Sequence, residues 1–214
     1  MSVLRLQISI SVDGYVAGPN QSEKDPLGEG GEQLHQWAFK TDAWQASHGR
    51  EAGERNASSE IVESMFENVG ASIMGRNMFG GGPGPWPQDP PWEGWWGDDP
   101  PYHHPVFVLT HHEREPLEME GGTTFHFVTD GIEPALERAR ETARDKDVAL
   151  MGGADACNQY LAAGLVDEMT LNVAPMILGA GERLFEGVAS SPREVELVGA
   201  IDAPDVTHLR YRFA

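Results

Sequence analysis

The strongest constraint on the fold is an alternation of short apolar strands with amphipathic helices in the second half of the chain. The strand segments are "TFHFVT", "DVALM" and "EMTLNVAP", and a helical stripe separates each from the next. The apolar positions of the two stripes are Ile132, Ala135, Leu136, Ala139 and Ala143, then Ala154, Cys157, Leu161 and Leu165. Because helical crossovers join parallel strands, this order predicts an α/β sheet that is largely parallel.

The ends of the chain complete this sheet. "LRLQISIS" alternates apolar and polar residues as a strand does and ends at the turn Asp13-Gly14. "EVELVGAI" and "VTHLRYRF" are two further alternating strands, joined by "DAPD" without a helix, which favours an antiparallel hairpin. With "GASIMGR" and "PVFVLT" added, we predict a mixed, mainly parallel sheet of eight strands with flanking helices, in one domain over residues 1–214.

Two helices are predicted between the first strand and the strand "GASIMGR". Leu34, Trp37, Ala38 and Trp44 indicate one helix. Residues 61–69 indicate a second, with Ser58 or Ser59 as its N-cap.

Residues 80–101 form an unusual segment with seven prolines and four tryptophans. Proline at this density excludes a helix or a central strand, so we predict a long structured loop. The tryptophans at 86, 92, 95 and 96 either form a small core that holds the loop or, with Trp37 and Trp44, line a site for a flat heteroaromatic ligand. The sequence leaves both interpretations open.

Composition narrows the partners and the compartment. The formal net charge of −19 would repel a phosphate backbone, which argues against nucleic-acid binding. No apolar run approaches the roughly 20 residues of a membrane-spanning helix, and the N-terminus has no secretory signal pattern. A single cysteine, Cys157, rules out an intramolecular disulfide, so the expected location is cytoplasmic.

Metal binding is not expected. The histidine pairs at 103–104 and 111–112 bracket one strand and would lie about 23 Å apart, too far to share an ion. The chain has no H-E-x-x-H motif.

Two strand ends carry residues suited to an anionic ligand. Gly152 and Gly153 stand where a strand passes into a helix, whose free N–H groups and partial positive charge favour a phosphate. Gly75 and Arg76 repeat this arrangement after "ASIM". We interpret the two together as a dinucleotide site, although either glycine turn alone is equally consistent with a tight turn that binds nothing.

Several segments, in this order along the chain, resemble the dihydrofolate reductase-like family. They are "ISISVDGYVAG", "ASIMGRNMF", "PVFVLTH", "FHFVTDGIEPALERAR", "VALMGGADACNQYLAAGLVDEMTLNVAPMILGAGERLF" and "VTHLRYRF". Within that family the chain is similar to the C-terminal reductase domain of the riboflavin-pathway bifunctional deaminase-reductase. The resemblance implies an NADPH-dependent reductase of a small heterocycle or imine, similar to 5-amino-6-(5-phosphoribosylamino)uracil reductase or dihydrofolate reductase.

The resemblance also implies which residues contact the cofactor. They are Ser9, Val16 and Ala17 on the nicotinamide side, Gly75, Arg76, Asn77 and Met78 at the 2′-phosphate and pyrophosphate, Leu109, Thr110 and His111 at the adenosine, and Gly152, Gly153, Ala154 and Asp155 at the pyrophosphate turn.

The proton donor is less defined than the cofactor site. Folate reductases carry an acidic residue one turn before an aromatic on the first helix, but alignment on Trp37 places Leu34 there. The candidates are Asp13 and His35, or an ordered water, with Asn172 orienting the substrate. Each of these three residues also has a structural interpretation, as a turn former, a helix residue and a strand-end cap.

Two other functions remain open. The chain could be a non-catalytic nucleotide- or pterin/flavin-binding protein on the same fold, or an interaction protein that uses the tryptophan-rich loop. The resemblance further implies a homodimer formed through C-terminal strands.

Overall fold

The computed structural model describes residues 2–189 and 192–213. Its strands are β1 (Leu4–Ser11), β2 (Tyr15–Ala17), β3 (Val69–Gly75), β4 (Pro105–Leu109), β5 (Leu117–Glu118), β6 (Thr124–Val128), β7 (Asp147–Gly152), β8 (Glu168–Ala174), β9 (Glu182–Arg183), β10 (Glu196–Ala203) and β11 (Val206–Arg212). Its α-helices are α1 (Gln36–Phe39), α2 (Asp42–Ser47), α3 (Ala57–Ser64), α4 (Arg76–Phe79), α5 (Ile132–Ala143) and α6 (Ala154–Ala162), and 3-10 turns span Gly31–His35 and Glu120–Gly122. None of the helices in these ranges is long and apolar enough to cross a membrane.

Nine of the eleven described strands form one large mixed sheet in the order β10-β11-β8-β1-β7-β3-β4-β6-β5, and β2 pairs with β9 in a separate two-stranded sheet. The six strands from β8 to β6 in this order are parallel to one another, β10 and β11 form an antiparallel hairpin next to β8, and β5 is antiparallel to β6 at the other edge. This confirms the mixed α/β sheet and its C-terminal hairpin. The eight expected strands are present, and the described residues add a ninth, the two-residue β5, which is too short for a period-two pattern.

The main core lies between the sheet and helices α5 and α6. The apolar stripe of α5 is buried at Ala135, Leu136, Ala139 and Ala143, because helical spacing aims all four at the sheet. Tyr160 of α6 is fully buried, and its hydroxyl donates to the carbonyl of Ile132 at 2.7 Å. This contact joins the C-terminal half of α6 to the first residue of α5.

The expected single helix around Trp37 is wrong: the structure has a 3-10 turn, α1 and α2 in succession. Thr41 causes the break. Its hydroxyl donates to the Ala38 carbonyl and accepts from the Trp44 backbone N–H, which ends α1 and caps α2. The expected cap of α3 is also wrong, since the Asn56 side chain accepts from Ser58 N–H and Ser59 only returns the reciprocal bond.

A buried polar network lies on the sheet face opposite α5 and α6. His208 of β11 is fully buried; its Nδ1 lies 2.7 Å from Asn172 Oδ1 and its Nε2 3.0 Å from Ser58 Oγ. Trp37 packs edge-on against the same ring, 4.9 Å away, and donates its indole N–H to Ser9 Oγ. Burial lowers the pKa of His208 to about 4, so the ring is neutral at pH 7.

We expect the protein to lose stability as the pH falls from about 6.5 towards 4. In the unfolded chain His208 is protonated near its ordinary pKa, whereas the folded protein resists its protonation. The contribution of His208 to the free energy of unfolding is therefore fully present above about pH 6.5 and is lost as the pH falls to about 4. The loss from this one residue is roughly 3 kcal/mol, at 1.36 kcal/mol per unit of pKa. Urea unfolding at several pH values measures it. His208→Gln should reduce the slope, with part of it remaining because burial also lowers the pKa of His35 and His104 to about 4, whereas His48→Gln, at an exposed position, should leave the slope unchanged. Equal slopes in all three proteins would contradict the argument.

Candidate active site

A cavity of about 660 Å³ opens at the carboxyl ends of the central parallel strands. The register of the sheet aligns these strand ends. Gly152 of β7 is paired with Met74 of β3, and Gly75 of β3 is paired with Leu109 of β4. Leu109 is in turn paired with Val128 of β6. All of these except Met74 line the cavity. In open α/β sheets ligands bind at this edge, so the topology alone makes it the candidate site.

The turn at Gly152-Gly153 needs its two glycines for different reasons. Gly152 has a φ of +134°, which residues with a side chain rarely adopt. Gly153 precedes α6 with an ordinary φ of −73°, and a Cβ placed there would meet no protein atom within 4 Å. The second glycine therefore leaves open space in the cavity at the helix N-terminus.

The second glycine turn, at Gly75, lies directly against the first. A Cβ on Gly75 would stand 3.5 Å from the Gly153 nitrogen and 3.2 Å from the Ala156 Cβ. Gly75, Arg76, Gly152 and Gly153 thus surround one space, as a single dinucleotide site requires.

Arg76 has a role that the sequence did not indicate. Its Nε donates to the carbonyl of Gly80 at 3.0 Å, and its Nη2 donates to the carbonyls of Gly81 and Gly82 at 3.2 and 2.9 Å. The guanidinium carbon lies 3.3 Å from the centre of the Trp86 ring. Arg76 therefore holds the start of the tryptophan-rich loop in place.

One nitrogen of Arg76 faces Thr110, in the group of residues that the family resemblance assigns to the adenosine. Nη1 makes only a long contact, 3.4 Å, with Thr110 Oγ1. Burial and the nearby Arg114 guanidinium lower the pKa of Arg76, yet an arginine stays protonated in proteins. Nη1 and Thr110 are the groups best suited to a phosphate at this position.

Most of the expected cofactor residues line the cavity. They are Val16, Ala17, Gly75, Arg76, Asn77, Met78, Leu109, Thr110, His111, Gly152, Gly153, Ala154 and Asp155. Ser9 does not: it is buried in the Trp37 network on the other face of the sheet.

Two of the three expected catalytic residues lie outside the cavity lining. Asp13 accepts hydrogen bonds from the Ser11 hydroxyl and from the backbone N–H groups of Leu178 and Gly179, which lower its pKa to about 2. Asn172 is fully buried beside His208, and its Nδ2 has no hydrogen-bond partner among the described residues. The first side chain organises a turn and the second belongs to the polar network.

His35 does line the cavity. Its Nε2 is buried and has no hydrogen-bond partner among the described residues. Burial lowers the pKa of His35 to about 4, so the imidazole is neutral at pH 7 and a weak source of protons.

The tryptophan-rich loop contains neither helix nor strand over residues 80–101, as expected. The structure supports the small core, and it also places two of the tryptophans at the cavity. Trp86 and Trp96 pack with Phe79 and Phe125 in a second core, while Trp95 and Trp96 also line the cavity. The Trp95 indole N–H donates to the Met78 carbonyl at 3.0 Å, which ties the ring to α4, the short helix that follows β3.

Sequence reasoning missed other wall residues. Phe39 and Trp44 line the cavity from α1 and α2, and Gln21 and Glu182 line it from a loop and from β9. Of these four, the sequence offers only Trp44 as a wall residue, together with Trp37, which does not line the cavity. The others carry no motif, and their convergence depends on loop paths that periodicity does not describe.

The described residues contain no group of three or more His, Cys, Asp or Glu that could hold a metal ion.

Comparison with known proteins places this geometry in context. The family model for the RibD C-terminal domain matches residues 2–209. An uncharacterized Bacillus subtilis protein, YyaP, is 28% identical over 92 residues, a match that covers 41% of this chain and 48% of YyaP.

Two solved structures share the fold. A protein from Shewanella sp. PV-4, described as a riboflavin biosynthesis protein, superposes with a TM-score of 0.63 at 20% identity, with 98% of each chain covered. A Thermotoga maritima diaminohydroxyphosphoribosylaminopyrimidine deaminase/5-amino-6-(5-phosphoribosylamino)uracil reductase superposes with a TM-score of 0.56 at 15% identity. All of this chain and 57% of that longer protein are covered. At these identities the two structures support the fold.

Proposed function

The chain belongs to the RibD C-terminal domain family, and from this premise we propose that it is an NADPH-dependent reductase that transfers a hydride to a small heterocyclic or imine substrate. The observation that carries the proposal is the open space at Gly153. It lies at the N-terminus of α6, where free backbone N–H groups favour a pyrophosphate, beside Gly75 and Arg76.

The chain's own residues fit NADPH along the cavity. The α6 N-terminus would hold the pyrophosphate, and Arg76 Nη1 with Thr110 Oγ1 would hold the 2′-phosphate. At the other end, Ile8, Val16 and Ala17 offer an apolar surface for the nicotinamide ring. The bound dinucleotide would supply the hydride, and the protein would orient the acceptor and exclude water.

Titration with NADPH, followed by an acceptor assay, tests the proposal. A ligand that binds only the folded state adds about 2.7 kcal/mol of stability at 100 times its Kd, so NADPH should raise the melting temperature clearly. Loss of absorbance at 340 nm with imine or pyrimidine acceptors would then establish turnover. No thermal shift with NADPH or NADH would overturn the proposal.

A second candidate is a non-catalytic nucleotide- or pterin/flavin-binding protein. The observation that favours it is the neutral His35, which leaves the cavity without the proton donor expected from the sequence. It predicts NADPH binding without turnover of any acceptor.

We also propose that the protein is a homodimer formed through its C-terminal strands. β10 is an edge strand of the sheet and exposes Leu197 and Val198 at 58% and 43%. A second copy of the chain would cover these side chains. Sedimentation velocity should give a mass near twice that of the 23.4 kDa chain.

A further inference from the structure

The substrate end of the cavity has an aromatic wall built from two distant segments. Phe39 of α1 lies 5.1 Å from Trp44 of α2, and His35 stacks on Phe39 at 6.2 Å, measured between ring centroids. Trp95 reaches the same cavity from the tryptophan-rich loop. Aromatic faces bind flat apolar molecules, and they also attract cations through the negative charge of the ring face.

The same cavity contains a carboxylate without a partner. Glu182 is partly buried on β9 and pairs in register with Ala17, which also lines the cavity. The 3-10 turn that leads to His35 packs against Ala17, since a Cβ on Gly31 would stand 3.6 Å from the Ala17 Cα. Glu182 therefore lies on the side of the cavity where the aromatic wall begins.

No protein cation neutralises Glu182 among the described residues. Its side chain makes no ion pair or hydrogen bond there. The neighbouring Arg183 instead donates to the Asp13 carbonyl at 3.1 Å and lies over the Tyr15 ring. A carboxylate that lines a cavity and has no protein cation beside it there attracts a positively charged ligand.

The rest of the cavity lining offers no cation for an anionic substrate. Among the described lining residues, Arg76 is the only lysine or arginine, and loop carbonyls hold its Nε and Nη2. Its remaining nitrogen, Nη1, faces Thr110, at the end proposed for the cofactor phosphate. A phosphorylated substrate would instead bring its charge towards Glu182 in a protein of net charge −19.

We propose that the hydride acceptor is a preformed organic cation, an iminium ion or an N-alkylated nitrogen heterocycle, held between the aromatic wall and Glu182. The proposal rests on the proposed reductase function and specifies its substrate class. It also accounts for a cavity in which the proton donors expected from the sequence are unsuited or absent.

The reaction balances without a protein acid. The acceptor carbon gains a hydride from NADPH and forms a new C–H bond, while the π electron pair of C=N⁺ becomes a lone pair on nitrogen. The products are a neutral amine and NADP⁺, and no proton is taken up. A neutral imine, by contrast, requires a proton on nitrogen, and His35 is neutral at pH 7.

A binding experiment tests the cation site independently of catalysis. The probes are N-methylisoquinolinium and its uncharged isostere 2-methylnaphthalene, titrated at pH 8 against the full chain with tryptophan fluorescence as the readout. We expect the cation to bind at least about tenfold more tightly, a preference within the range of a desolvated cation–π contact plus one carboxylate. Equal or weaker binding of the cation would overturn the proposal.

The carboxylate has its own matched variants. Glu182→Gln should remove most of the preference for the cation, whereas Glu186→Gln, at an exposed residue outside the cavity lining, should leave it unchanged. A preference that persists in Glu182→Gln would overturn the assignment of Glu182 as the partner of the cation.

Turnover separates this proposal from the reductase function itself. With NADPH as the reductant, the rate of reduction of 2-methyl-3,4-dihydroisoquinolinium should not change between pH 6 and 9. At pH 9 it should be at least about tenfold higher than the rate for the neutral imine 3,4-dihydroisoquinoline. The opposite result would be faster reduction of the neutral imine, at a rate that falls as the pH rises and loses this pH dependence in Glu182→Gln. That result would make Glu182 a proton donor and overturn the proposal. If the chain fails to bind NADPH, the reductase function fails, and the fluorescence titration still decides whether the cation site exists.

Discussion

Gly153→Val should weaken NADPH binding by at least about a hundredfold without unfolding the protein. The backbone at Gly153 has a φ of −73°, which valine adopts readily, and a Cβ there meets no protein atom within 4 Å. The added isopropyl group would occupy the open space at the α6 N-terminus, where the pyrophosphate is proposed to lie. A hundredfold loss corresponds to about 2.7 kcal/mol. Titration of intrinsic fluorescence with NADPH measures the change.

Two variants serve as comparisons. Ala162→Val adds bulk at the exposed far end of the same helix and should bind NADPH as the unaltered protein does. Gly152→Ala should instead lower the stability of the fold, because its φ of +134° strains any residue with a side chain. Unchanged affinity in Gly153→Val would show that the pyrophosphate does not lie at this turn.

Arg76→Ala should cost roughly 2–4 kcal/mol of folding stability, because hydrogen bonds from a charged donor contribute about 1.5–3 kcal/mol each and partial exposure reduces that sum. The variant loses the bonds to the carbonyls of Gly80, Gly81 and Gly82 and the contact with Trp86. For a domain of this size the melting temperature should fall by roughly 5–15 °C. Differential scanning calorimetry measures both quantities.

Arg114→Ala is the matched control. Arg114 lies 5.2 Å from the same Trp86 ring but donates to one carbonyl, that of Trp92, so its removal should cost about 1 kcal/mol of folding stability.

The same pair of variants tests the proposed phosphate contact. If Nη1 of Arg76 holds the 2′-phosphate, Arg76→Ala weakens binding of NADPH by about tenfold more than binding of NADH. Equal losses for both dinucleotides would assign Arg76 to the loop alone.

The elements that periodicity describes well were predicted well from the sequence. The stripe from Ile132 to Ala143 coincides with α5, because each apolar position on a long amphipathic helix has only one buried direction. The glycine turns were found for a related reason: the φ of Gly152 strains a residue with a side chain, and a Cβ on Gly75 would lie 3.2 Å from the Ala156 Cβ, a tight contact.

What the sequence could not provide is the identity of hydrogen-bond partners. The acceptors for Arg76 are backbone carbonyls of a glycine run, which carry no residue-specific signal. Asn172 stands on a strand whose face is decided by register, and it lies beside His208, 36 residues away in the chain. The break at Thr41 likewise depends on one hydroxyl that satisfies two neighbouring helix ends.

The tryptophan-rich loop leaves the sheet after β3 and returns at β4, and these strands are hydrogen-bonded neighbours. Because Trp86 and Trp96 of the loop pack on Phe79 and Phe125, a segment that replaces it must supply the same apolar cover, while the strands that carry the glycine turns keep their spacing. The acceptor preference of such a protein can therefore diverge through one replaceable segment, and grafting residues 80–101 between relatives is a direct route to exchanging it.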